Sequence, residues 1–142
     1  MNVTTITGNV TTITGCALSI MVSALLAASP ARGTTPPDGV VKGDPVRGHA
    51  LYQSRCTACH SLDHSRIGPA HRGVFDRVAG SVPGFDYSPA LKHSGVRWTA
   101  ANLNRWLTDP EAFIPGQKMG YQVPDPGDRR DIIAFLASPD AR

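Results

Sequence analysis

The chain has 142 residues and a mass of 15.1 kDa, with 41% hydrophobic and 18% charged residues. That is the size and balance of one globular domain, not of a fibrous or disordered chain. The formal net charge is only +3 and cations and anions alternate along the chain, so the basic stripe of a nucleic-acid binder is missing.

All 25 charged residues lie from Arg32 onward. Before them, residues 16–28 (CALSIMVSALLAA) form an apolar stretch of secretory length, and Ser29-Pro30-Ala31 offers a cleavage site. The stretch in front of it carries no Lys or Arg and repeats VTTITG at 3–8 and 10–15, which reads as leader without function. Ile13-Thr14-Gly15-Cys16 faintly resembles a lipoprotein box, but such a box should follow the apolar stretch and this one precedes it. Residues 1–31 therefore read as a secretory signal peptide, which predicts export. No uncharged run combines the length and apolarity of a membrane span, so stable membrane insertion of the mature chain is not expected.

Residues 32–43 are rich in Gly, Pro and Thr and read as a flexible linker. The folded domain is expected over 44–139, with 140–142 as a tail. Asp44-Pro45 is a helix start, with Asp as N-cap and Pro at the first position. From there Gly48, Tyr52, Cys56 and Cys59 recur at helical spacing on one face. A second helix is expected over about Ser88 to Ser94. A third runs from Thr99, with Leu103, Trp106 and Leu107 as its apolar stripe, and stops before Pro110. The last starts at Asp125-Pro126-Gly127-Asp128, carries Ile132, Ile133, Phe135 and Leu136, and ends at Pro139. Residues 63–87 and 109–124 are rich in Pro and Gly and read as loops, and no stretch alternates as a strand does. The fold class is all-α, with about four short helices and long loops.

Four short helices with few aromatic residues bury little apolar surface, and a domain of this kind usually needs a staple. Cys56-Thr57-Ala58-Cys59-His60 supplies one, as the C-x-x-C-H attachment site of c-type haem. Two thiols about one helical turn apart reach the two vinyl groups of one porphyrin, and the next residue offers a ring nitrogen to the iron. A thioredoxin-like redox pair would need a surrounding βαβ pattern, which is absent. A zinc site could use Cys56, Cys59 and two of His60, His64 and His71, but no second paired-ligand cluster follows. A disulfide within the motif is the plainest alternative. The export signal and the small core favour haem.

With that motif in place, residues 44–138 resemble class I cytochrome c of the mitochondrial and bacterial c2 type. Gly48 and Tyr52 match the positions where the family's first helix crosses its last, and Ile132 and Phe135 the partner positions. Ile67-Gly68-Pro69 matches the loop whose proline carbonyl takes a hydrogen bond from the proximal histidine. Gly73-Val74-Phe75-Asp76-Arg77, Pro83-Gly84-Phe85-Asp86-Tyr87-Ser88 and Gly95-Val96-Arg97-Trp98 resemble the segments around the haem propionates. Ile114-Pro115-Gly116-Gln117-Lys118-Met119 resembles the segment that ends in the axial methionine.

The resemblance implies one covalent haem c on Cys56 and Cys59, with His60 and Met119 as axial ligands. Met119 lies in a Pro-Gly loop 59 residues after His60, and the other methionines, Met1 and Met21, lie in the leader. A thioether favours Fe(II) relative to a second histidine and fills the sixth position. Pro69, Arg77, Tyr87, Trp98 and Trp106 are the implied pocket residues, with Arg77 neutralising a propionate and Tyr87 and Trp98 adding neutral donors. Trp106 stands where many relatives have tyrosine, and Gln117 where a threonine is common. His64, His71 and His93 are expected at the surface. Lys118 is expected near the exposed haem edge, with Arg72 and Arg105 supplementing it toward an acidic partner, although the chain has only three lysines.

The implied function is a soluble, monomeric, non-enzymatic electron carrier between redox protein partners. Two alternatives stand beside it: a peroxidatic or gas-binding haem domain in which Met119 does not ligate, and an electron-entry subunit of a dehydrogenase or oxidase.

Overall fold

The computed structural model describes residues 42–142, together with Met1 and Gly8. Nearly all of the expected signal peptide and of the expected linker lie outside the described residues.

Helix α1 (Pro45–Arg55) begins where its sequence dictates: the Asp44 carboxylate accepts the N–H groups of Val46 at 2.9 Å and Arg47 at 3.2 Å. Helix α2 (Pro89–Lys92) is shorter than the expected element, and the Ser88 hydroxyl caps it by accepting Leu91 N–H at 3.2 Å. Helix α3 (Ala100–Thr108) is capped by the Thr99 hydroxyl and buries Leu103, Trp106 and Leu107, as its stripe requires. A further helix, α4 (Pro110–Phe113), occupies the start of the segment expected as loop. Asp109 ends α3 and caps α4 at once, its carboxylate taking Ala112 N–H at 3.0 Å. Helix α5 (Pro126–Ala137) is capped by Asp125. A 3-10 turn over Pro139–Ala141 then closes the chain.

Helices α1 and α5 cross at Gly48. A Cβ there would lie 1.9 Å from the Asp131 carbonyl oxygen, so only a glycine permits the approach. Around the crossing, Arg47 pairs with Asp128 and Asp131, and Arg55 reaches the other oxygen of Asp128 at 2.8 Å. Tyr52 packs beside Phe135, ring centroids 5.2 Å apart. The core spreads from here through Ile132, Ile133 and Leu136 to Leu103, Leu107 and the two tryptophans.

Loops carry the remaining backbone, fixed by specific hydrogen bonds. Among the described residues, β pairing is limited to one antiparallel bridge between Val78 and Arg97. Buried Arg129 donates to the carbonyls of Val123 at 2.7 Å and Pro124 at 2.8 Å and to Asn104 at 2.9 Å, which anchors the chain entering α5. At the domain ends, a Cβ on Gly43 would lie 2.5 Å from the Arg130 carbonyl oxygen, so this last linker residue already packs on α5. Ala141, placed in the expected tail, is fully buried and accepts Gly73 N–H at 2.8 Å.

Candidate functional site

A cavity of about 620 Å³ opens inside the loops, and the residues singled out from the sequence converge on it: Cys56, Cys59, His60, Met119, Pro69 and Arg77 all line it, as do Tyr87, Trp98 and Trp106. Its remaining walls are mostly apolar, including Val74, Leu91, Leu103, Leu107, Ile132 and Leu136.

The thiols come from the end of α1. Cys56 is its C-cap, and the chain turns there so that Cys59 and His60 both return N–H groups to the Cys56 carbonyl, at 3.1 and 2.9 Å. Both cysteines are free, so the disulfide reading finds no support in this geometry. Burial pushes the Cys56 thiol up to about 11, against the opposing pull of Arg55, so its sulfur is protonated near neutral pH. Among the described residues no group of three His, Cys, Asp or Glu side chains is placed to hold a metal ion, which leaves zinc without ligands.

His60 is oriented by two neighbours. Its Nδ1 lies 2.9 Å from the Pro69 carbonyl oxygen, and an oxygen that can only accept requires the proton on Nδ1. Nε2 is therefore left with a lone pair. Burial lowers the ring's pKa and the Pro69 bond opposes it, so the imidazole stays neutral. Gly68 lies against the ring: a Cβ there would be 2.1 Å from Cε1.

His71 departs from expectation. It is not a surface residue: its ring stacks on His60, centroids 3.9 Å apart and planes 21° from parallel, and its Nδ1 is buried without a partner. Burial, with the nearby His60 and Arg77, holds its pKa well below the usual value. The Tyr52 hydroxyl is likewise buried and unpartnered, with its ring 5.8 Å from that of His71. His64 and His93 are exposed, as expected.

At the polar end, Arg77 donates to the carbonyls of Ala70 and Arg72, both at 2.8 Å, which leaves further N–H groups for the cavity. Trp98 is held opposite by backbone pairing, its N–H reaching the Arg77 carbonyl at 2.9 Å. The Tyr87 hydroxyl accepts Val82 N–H at 3.4 Å, and its proton is available to another acceptor. Trp106 is buried, its ring 5.2 Å from that of Trp98, so packing between the tryptophans fixes it.

Met119 follows α4 on a loop that turns at Gly116, where φ is 85°. Its backbone N–H donates to Gln117 Oε1. Lys118 is exposed and lies 3.7 Å from the Asp86 carboxylate. Arg72 is committed elsewhere, to Asp63 and to the carbonyls of Asp140 and Arg142 at 3.2 Å, and Arg105 lies over the Phe113 ring at 4.3 Å.

The donor set fits a haem: two free thiols, an imidazole with a lone pair, a thioether, an apolar chamber and cationic and neutral donors at one end. All of these are legible in the sequence, whereas the roles of Gly68 and His71 are not. Gly68 is the middle residue of Ile67-Gly68-Pro69. A histidine within a Pro-Gly loop gives no periodicity that would reveal His71.

Comparison with known proteins agrees. The sequence model of the cytochrome c family matches residues 45–139. Cytochrome c2 of Rhodomicrobium vannielii is 42% identical over 100 residues, covering 68% of this chain and 79% of that one. Cytochrome c2 of Rhodopila globiformis is 41% identical over 107 residues, covering 73% and 96%. The structure of cytochrome cH from Methylobacterium extorquens superposes with a TM-score of 0.63 at 40% identity, covering 66% of this chain and 97% of that one. The fold is thus that of a small helical haem protein of class I. The chain belongs to the cytochrome c family. It is a carrier of single electrons on one covalently attached haem c, and not an enzyme.

Proposed function

We propose that Cys56 and Cys59 form the two thioether bonds to the haem and that His60 and Met119 are its axial ligands. The observation that carries this reading is the convergence of all four side chains on one largely apolar cavity. When bound, the haem supplies a one-electron couple between Fe(II) and Fe(III).

The chain's own residues do the rest. Pro69 fixes the His60 tautomer and leaves Nε2 as the donor. Met119 adds a neutral, soft donor that favours the reduced state and excludes small ligands. Arg77 offsets anionic charge at the polar end, with Tyr87 and Trp98 as neutral donors, and Trp106 closes the apolar wall. The apolar lining keeps water out, which lowers the reorganisation that accompanies each electron.

The carrier is soluble and monomeric, and works in the bacterial periplasm between a redox donor and a redox acceptor. Residues 1–31 direct its export and are removed, and 44–139 form the haem domain. Lys118, exposed beside Met119, faces the partner. No helix among the described residues is long and apolar enough to cross a membrane.

Intact-mass measurement on exported holoprotein tests this directly. The expected result is a chain that begins between Ala28 and Arg32 and carries the mass of one haem that survives denaturation. Haem that separates completely on denaturation, or an intact Met1 on haem-loaded protein, would contradict the attachment or the export respectively.

A further inference from the structure

Beside the cavity, three hydrogen bonds join into one chain. The Glu111 carboxylate, on α4, accepts Gly116 N–H at 2.9 Å with one oxygen and Gln117 Nε2 at 3.2 Å with the other. Gln117 then turns its own oxygen to the backbone N–H of Met119. An amide group has one donor end and one acceptor end, so the two bonds are linked. With its NH₂ held by Glu111, Gln117 can present only oxygen to Met119.

We propose that Glu111, acting through Gln117, is a positioning residue that holds the Met119 loop closed over the haem. The proposal rests on the reading of Met119 as an axial ligand and adds what controls its release. The loop needs such a clamp. Gly116 adopts a positive φ and Pro115, Gly116, Lys118 and Gly120 are exposed, so the segment contributes little buried apolar surface of its own. Its remaining backbone tie is Gln117 N–H to the Ile114 carbonyl at 3.2 Å. The carboxylate grips both the turn and the amide next to it, and so converts a flexible Pro-Gly segment into a closed hydrogen-bonded ring anchored on α4. Glu111 is itself exposed, so removing it leaves the core untouched.

The test uses oxidised holoprotein and imidazole as the entering ligand, because imidazole binds only after the thioether leaves. Four proteins are compared: wild type, Glu111→Ala, Gln117→Ala and the double variant. Each single variant is expected to speed imidazole entry roughly five- to ten-fold, the effect of one or two hydrogen bonds. The double variant should fall short of the product of the two single effects, because both singles break the shared Glu111–Gln117 link. Glu111→Gln, which keeps an acceptor for Gly116 but places NH₂ against NH₂ at Gln117, should fall between. A purely structural role would move thermal unfolding and leave imidazole entry alone, whereas here the unfolding midpoint should stay near wild type. An imidazole rate unchanged in Glu111→Ala, or single effects that multiply in the double variant, would overturn the clamp. The thioether-to-iron(III) absorption band separates this from the underlying reading: if wild type lacks it, Met119 is not the ligand and the clamp falls with it. If wild type has it and the rates do not move, the clamp alone is wrong.

Discussion

A methyl group at Gly68 would lie 2.1 Å from Cε1 and 2.5 Å from Nδ1 of His60, well inside contact distance. The ring cannot yield easily, since Pro69 holds Nδ1 and His71 stacks on it. Gly68→Ala is therefore expected to turn the imidazole and weaken the Pro69 bond, destabilising the holoprotein by about 1–3 kcal/mol, the usual range for overpacking. Denaturant unfolding of the holoprotein measures it, and an unchanged midpoint would show that the loop relaxes freely. His71 belongs to the same contact. As a neutral ring with one buried, unpartnered nitrogen it offers surface to His60 rather than charge. A single sequence could not reveal this, because only the fold brings position 71 back over position 60.

Between elements, the crossing of α1 and α5 is the contact most exposed to a single change. Gly48→Ala would drive a Cβ to 1.9 Å from a backbone oxygen, so the helices must separate, and a loss of about 1–3 kcal/mol or more is expected in holoprotein unfolding. The ion pairs at the crossing make it acid-sensitive. Asp131 accepts Asp44 N–H and the Arg47 guanidinium, and these hold its carboxyl below the ordinary 3.8. A carboxyl depressed in the folded state binds more protons when unfolded, so its stabilisation is present above that range and is lost as pH falls through it. Asp131→Asn should lower Tm at neutral pH, and the gap from wild type should close on acidification below the carboxylate range. A gap independent of pH would assign the effect to packing instead. These two helices were legible in the sequence because Asp44-Pro45 and Asp125-Pro126 each put a cap and a preset φ in front of an apolar stripe. Asp109-Pro110 carries the same signal, but there the proline also ends α3. The same pair that closes one helix opens the next, and α4 is too short to show a stripe of its own.

Across the whole molecule, the cavity dominates the energetics. Leu103, Leu107, Ile132 and Leu136 line it and also belong to the hydrophobic core, so the haem occupies the centre around which a small core is organised. The chain without its haem is accordingly expected to be largely unfolded. Replacing both Cys56 and Cys59 by alanine should abolish most helical circular dichroism and cooperative melting when no haem is bound, and a native-like melt would contradict this. The sequence made the cofactor legible through five consecutive residues, 56–60, and the family through ordered loops. It did not show how those loops hold their shape, because Glu111, Gln117 and Arg129 act through backbone hydrogen bonds that leave no pattern in composition or periodicity. The central claim, that both axial positions are filled by this chain and the protein therefore carries electrons without catalysis, is tested most directly by exposing the reduced holoprotein to carbon monoxide at neutral pH. Wild type should resist binding, and Met119→Ala should bind rapidly. Rapid, stoichiometric binding by wild type would contradict it.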